Sequence, residues 1–199
     1  MQRYVAFVAG LPCGRESVGM DTLRNLFTRL GFLNVEPFLT NGNVIFETAP
    51  VGVIGPLEAQ ISRFLTKSLA GEEIHVFIRT PQELRRILSD VPFLPEDVQN
   101  ADNHLFVVFL GDKPDERAKK QLRIRRTEID ELRLNGKEIY WLRRPSNEPV
   151  PPPLLSEILD APATVRSFQT ITRLVAKFTP HVATQSPPAD ISQSAQSRR

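Results

Sequence analysis

Tyr4-Val5-Ala6-Phe7-Val8-Ala9-Gly10-Leu11-Pro12-Cys13-Gly14 is the stretch from which the fold follows. Its first six residues are apolar or aromatic with no polar face, which predicts a central strand covered by other elements. Two glycines then bracket a loop. Beyond it Met20, Leu23, Phe27 and Leu30 recur at helical spacing, and Asp21 falls in the first turn, where the helix dipole favours a carboxylate. Gly31 ends that helix without a Cβ penalty. Val35 to Leu39 and Val44-Ile45-Phe46 read as two strands joined through Thr40-Asn41-Gly42-Asn43, and Asn-Gly is the preferred pair for a tight hairpin turn. Gly55-Pro56 opens a second helix with the stripe Leu57, Ile61, Phe64, Leu65 and Leu69, and Gly71 ends it. Ile74 to Ile78 is a strand. The order strand–helix–strand–strand–helix–strand is that of the ferredoxin-like split βαβ fold.

The second half repeats the theme. Thr80-Pro81-Gln82-Glu83 is a capping box with Pro at the first helical position, and Leu84, Ile87, Leu88 and Val91 follow at helical spacing. A polar loop leads to Asn103. His104 to Leu110 is a strand, a basic helix follows, and Glu128 to Leu134 and Glu138 to Leu142 form a hairpin about Asn135-Gly136. Strand, helix and hairpin therefore recur, as a structural duplication without a fixed-period sequence repeat. Pro145 to Pro153 reads as an extended connector and Leu154 to Leu159 as a short helix. Ser167 caps a last helix carrying Phe168, Ile171, Leu174, Val175 and Phe178. The expected organisation is α+β: a first ferredoxin-like subdomain over 1–79, a second over 80–179 with C-terminal helices, and a disordered tail over 180–199. That tail is rich in Ser, Gln, Pro and Ala and cannot bury enough surface to order itself.

The 199 residues are 41% hydrophobic and 24% charged, enough for a sizeable core. A net charge of +2 does not single out nucleic acid as a partner. A single cysteine excludes an intramolecular disulfide and fits a reducing, cytoplasmic setting. The N-terminus lacks a signal-peptide pattern, and no apolar run approaches the roughly 18 residues of a membrane span. No His, Cys and carboxylate spacing suggests a metal, and no cofactor is expected.

Topology places the candidate site. In the split βαβ order the first strand is central and its neighbours run antiparallel. The Gly10–Gly14 loop, the following helix N-terminus and the Thr40–Asn43 turn thus meet at one sheet edge. Gly10, Cys13, Gly14, Arg15, Asn41 and Asn43 form the candidate ligand set, suited to a small anion. Against this, the glycines can serve only to turn the chain, Glu72 and Glu73 would oppose an anion, and the loop matches neither a P-loop nor a dinucleotide fingerprint. Cys13 beside a helix start suggests a nucleophile, but His75, His104 and His181 carry no motif that would make any of them its base. Arg117, Lys119, Lys120, Arg123, Arg125 and Arg126 form the densest basic cluster, mixed with Asp115, Glu116, Glu128, Asp130 and Glu131, a pattern typical of a solvated helix. Trp141 and Tyr140 read as packing residues. Three readings follow: a non-catalytic module binding a small anionic ligand or a protein partner; an RNA- or DNA-binding protein using helix 117–126; and an enzyme with its site at the Gly10–Gly14 loop.

The residues also resemble a known family. Arg3-Tyr4-Val5-Ala6-Phe7 before the Gly loop, Leu30-Gly31-Phe32, Asn34-Val35 and Asn41-Gly42-Asn43-Val44-Ile45-Phe46 are similar to the bacterial domain-of-unknown-function family 1697. So are Ile78-Arg79-Thr80, Pro92-Phe93, Leu105-Phe106-Val107, Tyr140 and Thr164-Val165-Arg166-Ser167-Phe168-Gln169-Thr170-Ile171. The resemblance implies two ferredoxin-like subdomains and no assigned activity. This chain departs from the family's usual first loop, where an Arg and an Asn are replaced within Ala9-Gly10-Leu11-Pro12-Cys13-Gly14-Arg15. It also departs at Asn41, where the family has Ser, and at Ser167-Phe168, where it has Asn-Trp.

Overall fold

The computed structural model describes residues 1–12, 17–39, 42–69, 73–147 and 160–178. Strand β1 (Gln2–Ala9), helix α1 (Met20–Arg29), β2 (Leu33–Phe38), β3 (Asn43–Thr48), α2 (Gly55–Ser68) and β4 (His75–Arg79) come first. Then follow α3 (Pro81–Ser89), α4 (Pro95–Gln99), β5 (His104–Leu110), α5 (Glu116–Ile124), β6 (Asp130–Asn135), β7 (Glu138–Arg143), β8 (Ala163–Ser167) and α6 (Phe168–Phe178). They build two antiparallel four-stranded sheets, ordered β2-β3-β1-β4 and β6-β7-β5-β8. The second order repeats the first, position for position, so the duplication is real.

Strand β8 is the element sequence reading missed. Ala163-Thr164-Val165-Arg166-Ser167 is short and polar on one face, and that face is buried. Polar residues at inward positions conceal the usual strand pattern. The polar loop before Asn103 contains the short helix α4. The expected helix at Leu154–Leu159, most of the proline connector and the tail lie outside the described residues.

Alternation of side chains along each strand divides the core into three apolar layers. Tyr4, Ala6 and Val8 of β1 face one way, against α1 and α2. Val5 and Phe7 face the other way, together with Val107 and Phe109 of β5, Tyr140 and Leu142 of β7, and Leu84, Ile87, Ile171 and Leu174 of α3 and α6. Val108, Leu110, Ile139 and Trp141 face α5. Each sheet is therefore buried on both faces, where the apolar run of β1 required cover on at least one side of the first. At the centre the rings of Phe7 and Phe109 stack with centroids 4.1 Å apart.

Helix starts follow the sequence closely. Thr80 Oγ1 accepts from Glu83 N, while the Glu83 carboxylate accepts from Thr80 N at 2.7 Å, completing the capping box. Ser167 Oγ accepts from Thr170 N at the start of α6. Gly31 takes a φ of 86° after α1, the left-handed conformation that makes it a stop.

Strand β4 lies at a sheet edge, where unpaired N–H groups invite further pairing. Helix α2 covers them with side chains one turn apart. Ile78 N donates to Glu58 Oε1 at 2.6 Å, Val76 N to Ser62 Oγ at 3.0 Å, and Ile74 N to Thr66 Oγ1 at 3.0 Å. Burial raises the pKa of Glu58 above its usual 4.5, partly offset by the Ile78 N–H and by Arg79. A carboxyl held above its unfolded value stabilises most at low pH, and that contribution is lost as pH rises through the folded value. Glu58→Gln keeps the acceptor and removes the titration. The stability of the Gln variant relative to wild type is expected to rise with pH from below about 4.5 and then level off. Urea midpoints across a pH series check this, and a pH-independent difference would refute it.

Candidate functional site

The two halves meet through a pair of buried arginines related by the duplication. Arg79 ends β4 opposite Val5, and Arg166 lies on β8 opposite Val107. Arg79 Nε donates to Glu138 Oε1 at 2.7 Å, Nη1 to Ile78 O at 2.8 Å, and Nη2 to Leu110 O at 2.9 Å. Arg166 repeats the set: Nε to Asn43 Oδ1 at 2.6 Å, Nη1 to Val165 O at 2.8 Å, and Nη2 to Val8 O at 3.0 Å. Nη1 of Arg166 also donates to Thr164 Oγ1 at 2.7 Å. Glu138 stands opposite Phe109 as Asn43 stands opposite Phe7. Each guanidinium lies over the partner sheet's ring, Arg79 at 5.4 Å from the Phe109 centroid and Arg166 at 5.7 Å from that of Phe7. Strands of one sheet are thus tied to the other by charge-assisted hydrogen bonds flanking a stacked pair of rings.

The equivalence breaks at one atom type. Arg79 has a carboxylate partner in Glu138, whereas among the described residues every partner of Arg166 is neutral. Desolvation pushes the Arg166 pKa down to about 10. Asn43 is fully buried and uses both ends of its amide, donating from Nδ2 to Phe38 O at 3.0 Å.

Of the candidate ligand set, Gly10 and Asn43 are described; Cys13, Gly14, Arg15 and Asn41 lie outside the described residues. The end of β1 meets Asn43 through the Phe7 pairing and reaches His75 through Ala9. Both described glycines of this edge answer to close backbone approach. Gly10 has a φ of 76°, and a Cβ there would lie 2.5 Å from the Glu73 carbonyl oxygen. Gly42 has a φ of 68°, and a Cβ would meet the Leu11 side chain at 2.8 Å and Val8 O at 3.1 Å. The polar centre of this edge is therefore Asn43 with Arg166. Arg166 was legible only as part of a family signature, because the strand that presents it was not recognised.

The other candidates separate in space. His75 is half-buried at the start of β4 with Nε2 3.9 Å from Glu73 Oε1, while His104 is exposed at the start of β5, opposite Arg143. Among the described residues no group of three or more His, Cys, Asp or Glu could hold a metal. No described helix is long and apolar enough to cross a membrane. The aromatic residues of both sheets face covered layers. Trp141 is 5% exposed with Nε1 donating to Asp130 Oδ1 at 2.7 Å, and Tyr140 is buried with its hydroxyl on Ile87 O. Burial raises the Tyr140 pKa. Among the described residues neither sheet offers an open aromatic face for stacking on bases. On α5, Arg117, Lys120 and Arg123 are exposed, and Lys119 pairs with Glu116 at 2.6 Å.

This architecture defines a class, a duplicated ferredoxin-like α+β protein whose two sheets are clamped face to face. The chain belongs to the family of proteins of unknown function DUF1697, whose model matches residues 1–140. It is similar in fold to the conserved bacterial protein SP0830 from Streptococcus pneumoniae, with a TM-score of 0.66 and 17% identity over 89% of this chain and 98% of that one. A search of curated proteins found no match. Neither description names an activity, and the structural likeness carries the fold alone.

Proposed function

We propose that this protein is a non-catalytic cytoplasmic module that binds a small anion at the Asn43–Arg166 end of the paired sheets. The two units of the duplication are read as 1–79 and 80–179. The observation that carries the functional reading is the charge of Arg166. It is buried among neutral acceptors, while its counterpart Arg79 holds Glu138. Burying a cation without an anion is costly, and an anion next to the guanidinium would supply what Glu138 supplies at the other end. Gly10, Cys13, Gly14, Arg15 and Asn41 complete the proposed ligand set as sequence neighbours of this end, and Arg15 adds a second positive charge.

Asn43→Asp tests the reading. The change is nearly isosteric and gives Arg166 a carboxylate at the place where Arg79 has one. Wild type is expected to bind inorganic phosphate or a monophosphate metabolite in calorimetry, and Asn43→Asp to lose that binding while remaining folded. Saturating ligand at a hundred times its dissociation constant should stabilise wild type by about 2.7 kcal/mol. Equal binding of inorganic phosphate or monophosphates by the Asp variant, or no binding by wild type to any member of a panel of them, would overturn it.

A further inference from the structure

We propose that the opposite end of the sheet pair, around Arg79 and Glu138, is a second anion site, built by Arg86, Lys113 and Lys137 for a ligand bearing linked phosphoryl groups. It does not rely on the Arg166 end. A cleft of about 380 Å³ opens here between α3, the β6–β7 turn and the loop before α5. That volume is within the range of small-molecule sites, roughly 300–1,000 Å³. Three carboxylates line it, and each already has a donor. Glu83 holds Thr80 N and Oγ1, Glu138 holds Arg79, and Asp90 accepts from Ser89 Oγ. The cations are less committed. Arg86 and Lys113 are exposed and have no side-chain bond or ion pair among the described residues. Lys137 donates to Gly111 O, with Asp112 only at 4.0 Å. The cleft thus sets four cationic side chains against three carboxylates, two of which are committed to capping and to Arg79.

The chemistry of the donors selects the ligand. A guanidinium presents a planar fork suited to two oxygens of one phosphoryl group, and two ammonium groups add compact charges for further oxygens. A pyrophosphate, free or as part of a nucleoside polyphosphate, carries enough oxygens to engage all three.

Pyrophosphate titration by calorimetry at moderate salt is the test. Wild type is expected to bind saturably. Arg86→Glu and Lys113→Glu should each weaken binding about tenfold or more, the loss of one charge-assisted contact, with melting temperatures unchanged because neither side chain holds the fold. The pair Arg117→Glu and Lys120→Glu on α5 serves as a control and should leave binding intact. Asn43→Asp should also retain it, which separates this site from the Arg166 end. Absence of saturable binding, or a loss in the α5 variant equal to that in the cleft variants, would overturn the proposal. Titration with a complete nucleoside triphosphate then distinguishes a free pyrophosphate site from one that also holds a nucleoside.

Discussion

Arg79→Met is expected to destabilise the protein by about 3–5 kcal/mol at neutral pH, the cost of leaving a buried charge without its partner. Two carboxylates lose their partner: Glu138, 15% exposed and bonded to Arg79 Nε, and Glu58, whose Oε1 lies 3.8 Å from Arg79 Nη1. Leu110 O loses its side-chain donor in the same step. Arg166→Met should cost about 2–4 kcal/mol, because the groups it abandons are neutral: Asn43 Oδ1, Thr164 Oγ1 and Val8 O. A second substitution separates the two. Glu138→Gln added to Arg79→Met removes the uncompensated charge and should recover part of the deficit. Asn43 is already neutral, and Arg166→Met leaves no charge to remove. Urea unfolding of Arg79→Met with and without Glu138→Gln measures this. No recovery would refute the assignment of Glu138 and Asn43 to unlike roles.

The second large effect lies between the clamps. Phe7 and Phe109 are both fully buried, and their rings stack at 4.1 Å across the space between the sheets. Either Phe→Ala change is expected to cost about 3–5 kcal/mol, combining lost transfer energy with a cavity that close-packed sheets cannot collapse to fill. The double variant should fall short of the sum by about 0.5–1.5 kcal/mol, the coupling expected of an aromatic pair. Because each half contributes one ring, a single cooperative transition should be lost or weakened for both sheets together. An additive double mutant, or a variant in which one half unfolds while the other keeps its near-UV signal and midpoint, would show that the halves are energetically independent.

The largest share of the fold was legible because local signals agreed with tertiary demands. The apolar run of β1 announced a covered central strand. Gly42 and Gly136 take positive φ values at the two hairpin turns, as the Asn-Gly pairs require. The Thr80 capping box formed as written. What escaped was β8, whose inward positions Thr164 and Arg166 are polar, so its period-two pattern does not mark a buried face. The duplication was visible only as element order. Its chemical signature, Arg79 followed by Thr80-Pro81-Gln82 and Arg166 followed by Ser167-Phe168-Gln169, is spread over loops of different length, so no constant period connects the equivalent residues.

The candidate site divides in the same way. Topology alone brought the end of β1 to Asn43, because a split βαβ order leaves the first strand no other antiparallel neighbours. It could not show that the voids at Gly10 and Gly42 are taken up by the chain itself, since those contacts come from Glu73 and Leu11 in loops of no regular pattern. Nor could it reveal that Arg166 is buried or that its neighbours are neutral. A guanidinium in a sequence reads as surface charge, and only packing decides whether it is solvated or sealed in. The sequence by itself determined the first ferredoxin-like unit with its element order, the strand, helix and hairpin that repeat it, and the edge where the first strand ends. Tertiary structure alone decided that the units face each other across Phe7 and Phe109, and that one of two equivalent arginines has no carboxylate partner among the described residues, because contacts between residues far apart in the chain leave no local trace in either one's neighbourhood.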